Sequence, residues 1–336
     1  MKEQRHAFIT GAAGQDGYYL SEYLQSQGWK VFGLIRRHSD GKRDVAPGTI
    51  VIEGDVTDVN GLRIIFERVR PTEVYNLAAQ SHAGLSFDYP IYTMEVNAVG
   101  AMNVLELCRS YRAAFYQAST SELYGETCGP LNEESEMEPA NPYAVAKLAI
   151  HRMVRLYRRA YKMRAVCGIL FNHESPRRSP DFVTQKICTA AAKIALGLPS
   201  DLSLGNVDSI RDWGHARDYV RAMPMILRAE TLKEYVIATG ESHTVREFIE
   251  IAGRIIEHRI TWETNPAFLR PRETSPLKAD PSLAMKELGW KPEINFEALV
   301  REMIEVAKER IVREQLAKAR SEENICAGIS NGQELS

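Results

Sequence analysis

A chain of 336 residues, 44% hydrophobic and 26% charged, has enough apolar material for one large or two ordinary globular domains. Its formal net charge of −2 gives no bulk attraction to nucleic acid or anionic membrane, so neither is expected as a partner. No apolar run is long enough to span a bilayer, the opening residues Met1–His6 lead straight into a short strand rather than a signal peptide, and five cysteines without CxxC spacing read as reduced thiols of a cytoplasmic protein with no metal site.

His6–Thr10 is a short apolar strand, followed by Gly11-Ala-Ala-Gly14-Gln15-Asp16-Gly17 and an amphipathic helix carrying Tyr19, Leu20, Tyr23 and Leu24. A second strand, Val31–Ile35, ends in Arg36-Arg37. Strand, glycine turn, helix and strand together form the context of a dinucleotide-binding unit, in which glycines admit pyrophosphate and the helix N-terminus faces it. Arginine after the second strand suits a 2′-phosphate, hence NADP rather than NAD; a solvated basic turn is the plainer alternative. Thr49–Ile52 is a third strand that leaves through Gly54-Asp55-Val56, where Asp55 either accepts from an adenine amine or makes an ordinary turn or helix cap. Helix Val59–Val69 leads to strand Glu73–Leu77, and the small residues of Ala78-Ala79-Gln80-Ser81 let a cofactor lie close to its end. One long helix is expected over about Tyr92–Tyr111, then strand Ala113–Ala118.

That strand delivers Thr120 and Glu122 at its C-terminal end, where open parallel sheets place ligands. Pro142 opens the next helix, with Tyr143 and Lys147 one turn apart on one face. An ammonium beside a phenol favours the phenolate, which makes Tyr143 a candidate acid/base near neutral pH. Glu122 supplies a carboxylate for a second proton and Thr120 a hydroxyl. After strand Arg164–Leu170 the rhythm breaks into arginine-bearing loops at Arg177-Arg178, Arg211 and Arg270-Pro271-Arg272-Glu273, a pattern that suits a diphosphate. Helices Val245–Glu257 and Phe296–Gln315 close a second domain, and the polar tail after Ala319 is expected to fray. The fold expected is α/β: a Rossmann-type doubly wound parallel sheet with a smaller C-terminal α/β substrate domain. Residues 1–171, with a returning segment at about 211–240, form the first domain; 172–210 and 241–315 form the second; 316–336 is a flexible tail.

The Gly-x-x-Gly-x-x-Gly spacing and the Tyr-x-x-x-Lys pair resemble the extended short-chain dehydrogenase/reductase superfamily. Ser119-Thr-Ser-Glu-Leu-Tyr-Gly125, Gly168-Ile-Leu-Phe-Asn-His-Glu-Ser-Pro176 and Gly205-Asn-Val-Asp-Ser-Ile-Arg-Asp-Trp-Gly214 resemble GDP-mannose 4,6-dehydratases, as do Tyr75–Ser81 and Ile237–Glu241. The resemblance implies an NADP-dependent lyase. Tyr143 would take the O4 proton, Thr120 would aid orientation, Glu122 would take the C5 proton, and Lys147 would serve both catalysis and the nicotinamide ribose. It implies a cofactor site of Gly11, Gly14, Gln15, Asp16, Gly17, Arg36, Arg37, Asp55, Val56, Leu77, Ala79, Ser81, Tyr92, Lys147, His173 and Arg178. It implies a GDP-sugar site of Ser86, Asn172, Lys186, Arg211, Arg270 and Glu273. It also implies a homodimer through the helices near 92–111 and 142–162, with a tetramer as the alternative. The chain departs from the family pattern in a shorter segment between Arg37 and Asp55, which bears on the tetramer, and in Gln185 in place of Arg, Asn97 in place of Asp, and Pro139-Ala140-Asn141 in place of Pro-Arg-Ser. A GDP-heptose substrate, and a GDP-sugar reductase, 4-oxidase or epimerase activity, stay open at this point, as does a nucleotide sensor without catalysis.

Overall fold

The computed structural model describes residues 5–36, 44–268, 276 and 278–332, with side chains described up to 319. Arg37, Arg270 and Glu273, all expected at the site, lie outside the described residues. The first half runs β1 (His6–Thr10), α1 (Gln15–Ser26), β2 (Lys30–Ile35), β3 (Ile50–Glu53), α2 (Val59–Val69), β4 (Glu73–Asn76), α3 (Pro90–Met94), α4 (Ala101–Tyr111), β5 (Ala114–Ala118), β6 (Pro130–Leu131), α5 (Pro142–Tyr161) and β7 (Ala165–Leu170). The second half runs β8 (Asn172–Glu174), α6 (Val183–Ala195), β9 (Ser203–Leu204), β10 (Ile210–His215), α7 (Ala216–Arg228), β11 (Tyr235–Ile237), β12 (Ser242–Thr244), α8 (Val245–Ile255), β13 (Glu263–Thr264), β14 (Lys278–Ala279), α9 (Ser282–Leu288) and α10 (Phe296–Gly332).

The chain divides into two compact units. The first draws on Met1–Arg177, Ser209–His243 and Arg270–Phe296; the second on Arg178–Asp208, Thr244–Leu269 and Glu297–Ser336. In the first, seven strands form one sheet in the order β11-β7-β5-β4-β1-β2-β3, every pair parallel. The order reverses between β1 and β4, and such a switch point opens a crevice beyond the strands' C-terminal ends. Successive side chains of a strand face opposite ways, and here both faces are covered. Ala7, Ile9, Tyr75, Tyr116 and Val166 join α1 and α7 in one core, while Phe8, Val74, Phe115, Ala165 and Cys167 join α2, α4 and α5 in the other. This explains the nearly unbroken apolar runs of these strands.

Three elements differ from their sequence expectation: Arg211, expected in a loop, lies in strand β10, and two helices have other bounds. The long helix over Tyr92–Tyr111 is interrupted: a π-helical turn, Glu95–Gly100, separates α3 from α4. Asn97, inside that turn, donates to the Gln80 carbonyl at 2.9 Å and accepts from the Gln80 N–H at 2.8 Å, a bridge that rewards the wider turn. Helix α10 continues to Gly332, past the expected end at Gln315, so the frayed tail is corrected to helix at least that far. The segment Glu314-Gln-Leu-Ala-Lys-Ala-Arg is made of strong helix formers with no proline to stop it.

In the second unit, α6 packs on α8, β9 pairs in parallel with β13, and Ala192, Ala307 and Ile311 share a small core. Among the described cysteines, Cys108, Cys167 and Cys188 are buried and Cys128 is exposed. No described helix is long and apolar enough to cross a membrane.

Candidate active site

The glycine turn is shaped by close approach. Gly11 has φ +71°, and a Cβ on it would lie 3.0 Å from the Ala78 nitrogen. A Cβ on Gly17 would run into the Gly11 carbonyl and come within 2.6 Å of Ala12 Cα, so α1 can begin this close to β1 only with glycine there. Gly14 caps α1 with no side-chain hydrogen bond, so the first-turn N–H groups have no side-chain acceptor from the cap. Bare N–H groups, a positive helix end and absent side chains fit a dinucleotide pyrophosphate. Gln15 and Asp16 tie this turn to β8: Gln15 Nε2 donates to the His173 carbonyl at 3.0 Å, Ser175 Oγ donates to Gln15 Oε1 at 2.7 Å, and His173 Nε2 lies 2.8 Å from Asp16 Oδ2. Three expected cofactor residues, Gln15, Asp16 and His173, are thus joined.

A buried polar chain crosses the strand ends. Thr10 Oγ1 donates to Asn76 Oδ1 at 2.6 Å while accepting from the N–H groups of Leu77 and Ala78. Asn76 Nδ2 donates to Gln117 Oε1 at 2.8 Å, and Gln117 Nε2 to the Ala118 carbonyl at 2.9 Å. Lys147 Nζ donates to that same carbonyl at 3.0 Å. The chain therefore runs from the glycine turn to the candidate lysine. Sequence reasoning missed Thr10, Asn76 and Gln117 as site residues. Their signal was a polar residue at or next to the last position of otherwise apolar strands. Lys147 is only 3% exposed, and burial lowers its ammonium to about 8. Its Nζ lies 5.8 Å from the centre of the Tyr143 ring, so the pair expected from i, i+4 spacing is formed.

Thr120 and Glu122 leave β5 in a 3₁₀ turn, Ser121–Tyr124, in which Thr120 Oγ1 accepts from the Glu122 N–H at 3.2 Å. Glu122 is 9% exposed, and its Oε2 accepts from Asn141 Nδ2 at 2.9 Å. Asn141 is also the N-cap of α5, its Oδ1 accepting from the Ala144 N–H at 2.8 Å. Gly125 ends the turn at φ +52°, where a Cβ would collide with the Glu138 carbonyl, so the returning loop passes directly against it. One amide thus couples the carboxylate to the first turn of the helix that carries Tyr143 and Lys147. Below Lys147 on the same helix, His151 Nδ1 lies 3.1 Å from Ser119 Oγ, and burial lowers this imidazole to about 4.

The remaining expected residues are spread over both units. Arg36 donates to the hydroxyl of Tyr92, which brings two of them together. Asp55 Oδ1 accepts from Thr57 N–H and Oγ1, the turn alternative, while Asp58 caps α2; Val56 packs in the second core. Leu77, Ala79 and Ser81 follow β4, where the Asn97 bridge to Gln80 holds their loop. Ser86 is fully buried with its hydroxyl donating to the Ala83 carbonyl. Asn172 pairs with Trp213 across β8 and β10, and Arg211 is buried beside them in β10. Arg178 and Lys186 belong to the second unit, where they lie over the rings of Phe182 and Phe268. Among the described residues no group of three or more His, Cys, Asp or Glu could hold a metal.

The profile described as GDP-mannose 4,6 dehydratase matches residues 8–303. The chain belongs to the GDP-mannose 4,6-dehydratase family. It is 44% identical to the GDP-mannose 4,6 dehydratase of Drosophila melanogaster, over 93% of this chain and 88% of that one. It is 41% identical to that of Homo sapiens, over 90% and 91%. The fold superposes on a Thermus thermophilus UDP-glucose 4-epimerase solved with NAD, with TM-score 0.81, 28% identity and coverage of 90% and 99%. It also superposes on a Bacillus anthracis dTDP-glucose 4,6-dehydratase solved with NAD, with TM-score 0.77, 21% identity and coverage of 91% and 97%. Within the GDP-mannose 4,6-dehydratase family's frame, Gln185 is a buried residue of α6, and Asn97 and Asn141 are both two-armed amides at structural junctions.

Proposed function

We propose that this protein is a GDP-mannose 4,6-dehydratase that works with a tightly held NADP. The observation that carries the reading is the linkage of Glu122, through Asn141, to the helix bearing Tyr143 and Lys147. A nicotinamide dinucleotide, when bound, supplies a hydride acceptor for sugar C4 and returns the hydride at C6. Gly11, Gly14 and Gly17 admit the pyrophosphate, and Asp55, Val56, Leu77, Ala79 and Ser81 frame the adenosine and ribose. Arg36, beside Tyr92 at the end of β2, supports a 2′-phosphate and hence NADP. Asn172, Arg211 and Ser86, all of the first unit, belong to the same ligand-binding reading.

Tyr143 takes the O4 proton, with Lys147 favouring its phenolate and Thr120 orienting the hydroxyl. The resulting C4 ketone acidifies the C5 proton; Glu122 removes it and, as the conjugate acid, protonates the departing C6 hydroxyl, which leaves as water, and C5 takes a proton of solvent origin once C6 has been reduced. Incubation with GDP-mannose and NADP+ is expected to yield a GDP-4-keto-6-deoxy sugar with no net change in NADP+. Solvent deuterium should appear at C5. Glu122→Gln should slow C5 exchange by roughly 100-fold or more while nucleotide binding survives; exchange retained in that variant refutes the assignment. Net oxidation of NADPH or net reduction of NADP+ selects a reductase or oxidase instead, and the same assay with a GDP-heptose tests that substrate.

A homodimer is part of this reading. It is supported by the exposed apolar side chains of α3, α4, α5 and the π turn: Ile91 (75% exposed), Tyr92, Val99, Met102, Leu156 and Tyr161. Reduced, mostly buried cysteines accord with a cytoplasmic location.

A further inference from the structure

The amide of Asn141 does two things at once. Its oxygen faces the Ala144 N–H at 2.8 Å, the bond expected of an N-cap. Its nitrogen faces Glu122 Oε2 at 2.9 Å. The orientation of the amide is dictated by its partners: turned over, it would set its oxygen against a carboxylate and its NH₂ against an N–H donor. Asn141 is itself 5% exposed, so neither bond is diluted by water. The helix start fixes the amide, and the amide in turn fixes the carboxylate.

We propose that Asn141 is a positioning residue that sets the Glu122 carboxylate for proton abstraction at C5. The proposal rests on the reading of Glu122 as the C5 base. Its physical content is orientation. A free glutamate samples several rotamers, and a base must lie within hydrogen-bond reach of the proton it takes. A displacement of about 1 Å in a reacting group lowers the rate by roughly 100-fold. Serine, the residue of the family pattern at this position, would cap the helix about as well as asparagine, and its hydroxyl can accept from the N–H while donating its own proton, so it is the conservative replacement. Aspartate would also cap the helix, but it would set a carboxylate against a carboxylate.

The test compares Asn141→Ser, Asn141→Asp and Glu122→Gln in the full-length protein with GDP-mannose and NADP+. Both Asn141 variants keep a capping side chain; Asn141→Ser is expected to unfold close to the parent, and Asn141→Asp at a lower temperature because it buries two carboxylates together. Single-turnover formation of NADPH reports C4 oxidation and is expected to stay near the parent rate. In Asn141→Asp, solvent-deuterium exchange at C5 and kcat are expected to fall together by roughly 10- to 100-fold, with KM unchanged, whereas Asn141→Ser is expected to retain most of both. Asn141→Asp is expected to be the more damaged of the two. If Glu122→Gln abolishes C5 exchange while both Asn141 variants exchange at the parent rate, the positioning role is overturned and the base assignment stands. If C4 oxidation and C5 exchange fall equally, Asn141 acts through the fold and the proposal is likewise overturned. If Glu122→Gln exchanges at the parent rate, the base assignment itself falls and takes the role of Asn141 with it.

Discussion

Lys147 is a charge-bearing side chain that is only 3% exposed. Its ammonium falls from an ordinary 10.5 to about 8 because burial penalises the charged form. The unfolded chain therefore binds a proton between pH 8 and 10.5 that the folded chain has released. Folding becomes more favourable as pH rises through that window, by up to about 1.4 kcal/mol per pH unit, and the penalty is present in full below pH 8. Lys147→Met removes the titration. In ligand-free protein, the stability of the parent relative to Lys147→Met should climb from pH 8 to 10, followed by denaturant unfolding; parallel curves would contradict it. The acid side is less informative. His151, lowered to about 4, makes folding more favourable as pH rises through 4–6.5, whereas Asp212, raised to about 6 by burial, acts oppositely through 3.8–6. At this scale the sequence revealed the reactive pair but not its supports. Tyr143 and Lys147 declare themselves by spacing, whereas Thr10, Asn76, Gln117 and Asn141 matter through partners 19 to 68 positions away that no local pattern discloses.

Among the elements, the interrupted helix between Pro90 and Tyr111 is the clearest case of tertiary structure overriding local pattern. The residues read as one continuous helix, and what breaks its regularity is a loop that precedes it. Asn97 satisfies both the N–H and the carbonyl of Gln80, and it is 1% exposed. A buried amide or carbonyl left without a partner loses about 1–3 kcal/mol. Asn97→Leu strips both partners and should destabilise by about 2–4 kcal/mol on that basis. Asn97→Asp keeps the acceptor for the N–H alone and should fall roughly midway. Chemical denaturation of both variants checks the order; equal stability of Asn97→Leu and the parent would remove the bridge as a determinant. Six of the seven strands of the large sheet, by contrast, were legible to within a residue, because strands of a sheet covered on both faces carry nearly unbroken apolar runs, whereas β6 and β8–β14 were not read as strands. The extent of α10 was not legible either, since polar helix formers serve a solvated helix and an irregular tail equally well.

For the molecule as a whole, the strand order and its reversal between β1 and β4 follow from alternating strands and helices joined by right-handed crossovers. On the homodimer reading, the exposed apolar row on α3, α4 and α5 is the surface that would associate. Sedimentation should find a dimer, and the double variant Ile91→Glu/Leu156→Glu should shift it to monomer with its Tm lowered; a monomeric parent would contradict the association. The cysteine distribution has a practical consequence. Cys108, Cys167 and Cys188 are sealed in the interior, and Cys128 lies at the surface of the loop that leaves Gly125 and comes back to Asn141. Once Cys326 is replaced by serine, a maleimide fluorophore would label that loop selectively. Its emission would then register, turnover by turnover, any breathing of the wall that brings the carboxylate and the phenol together.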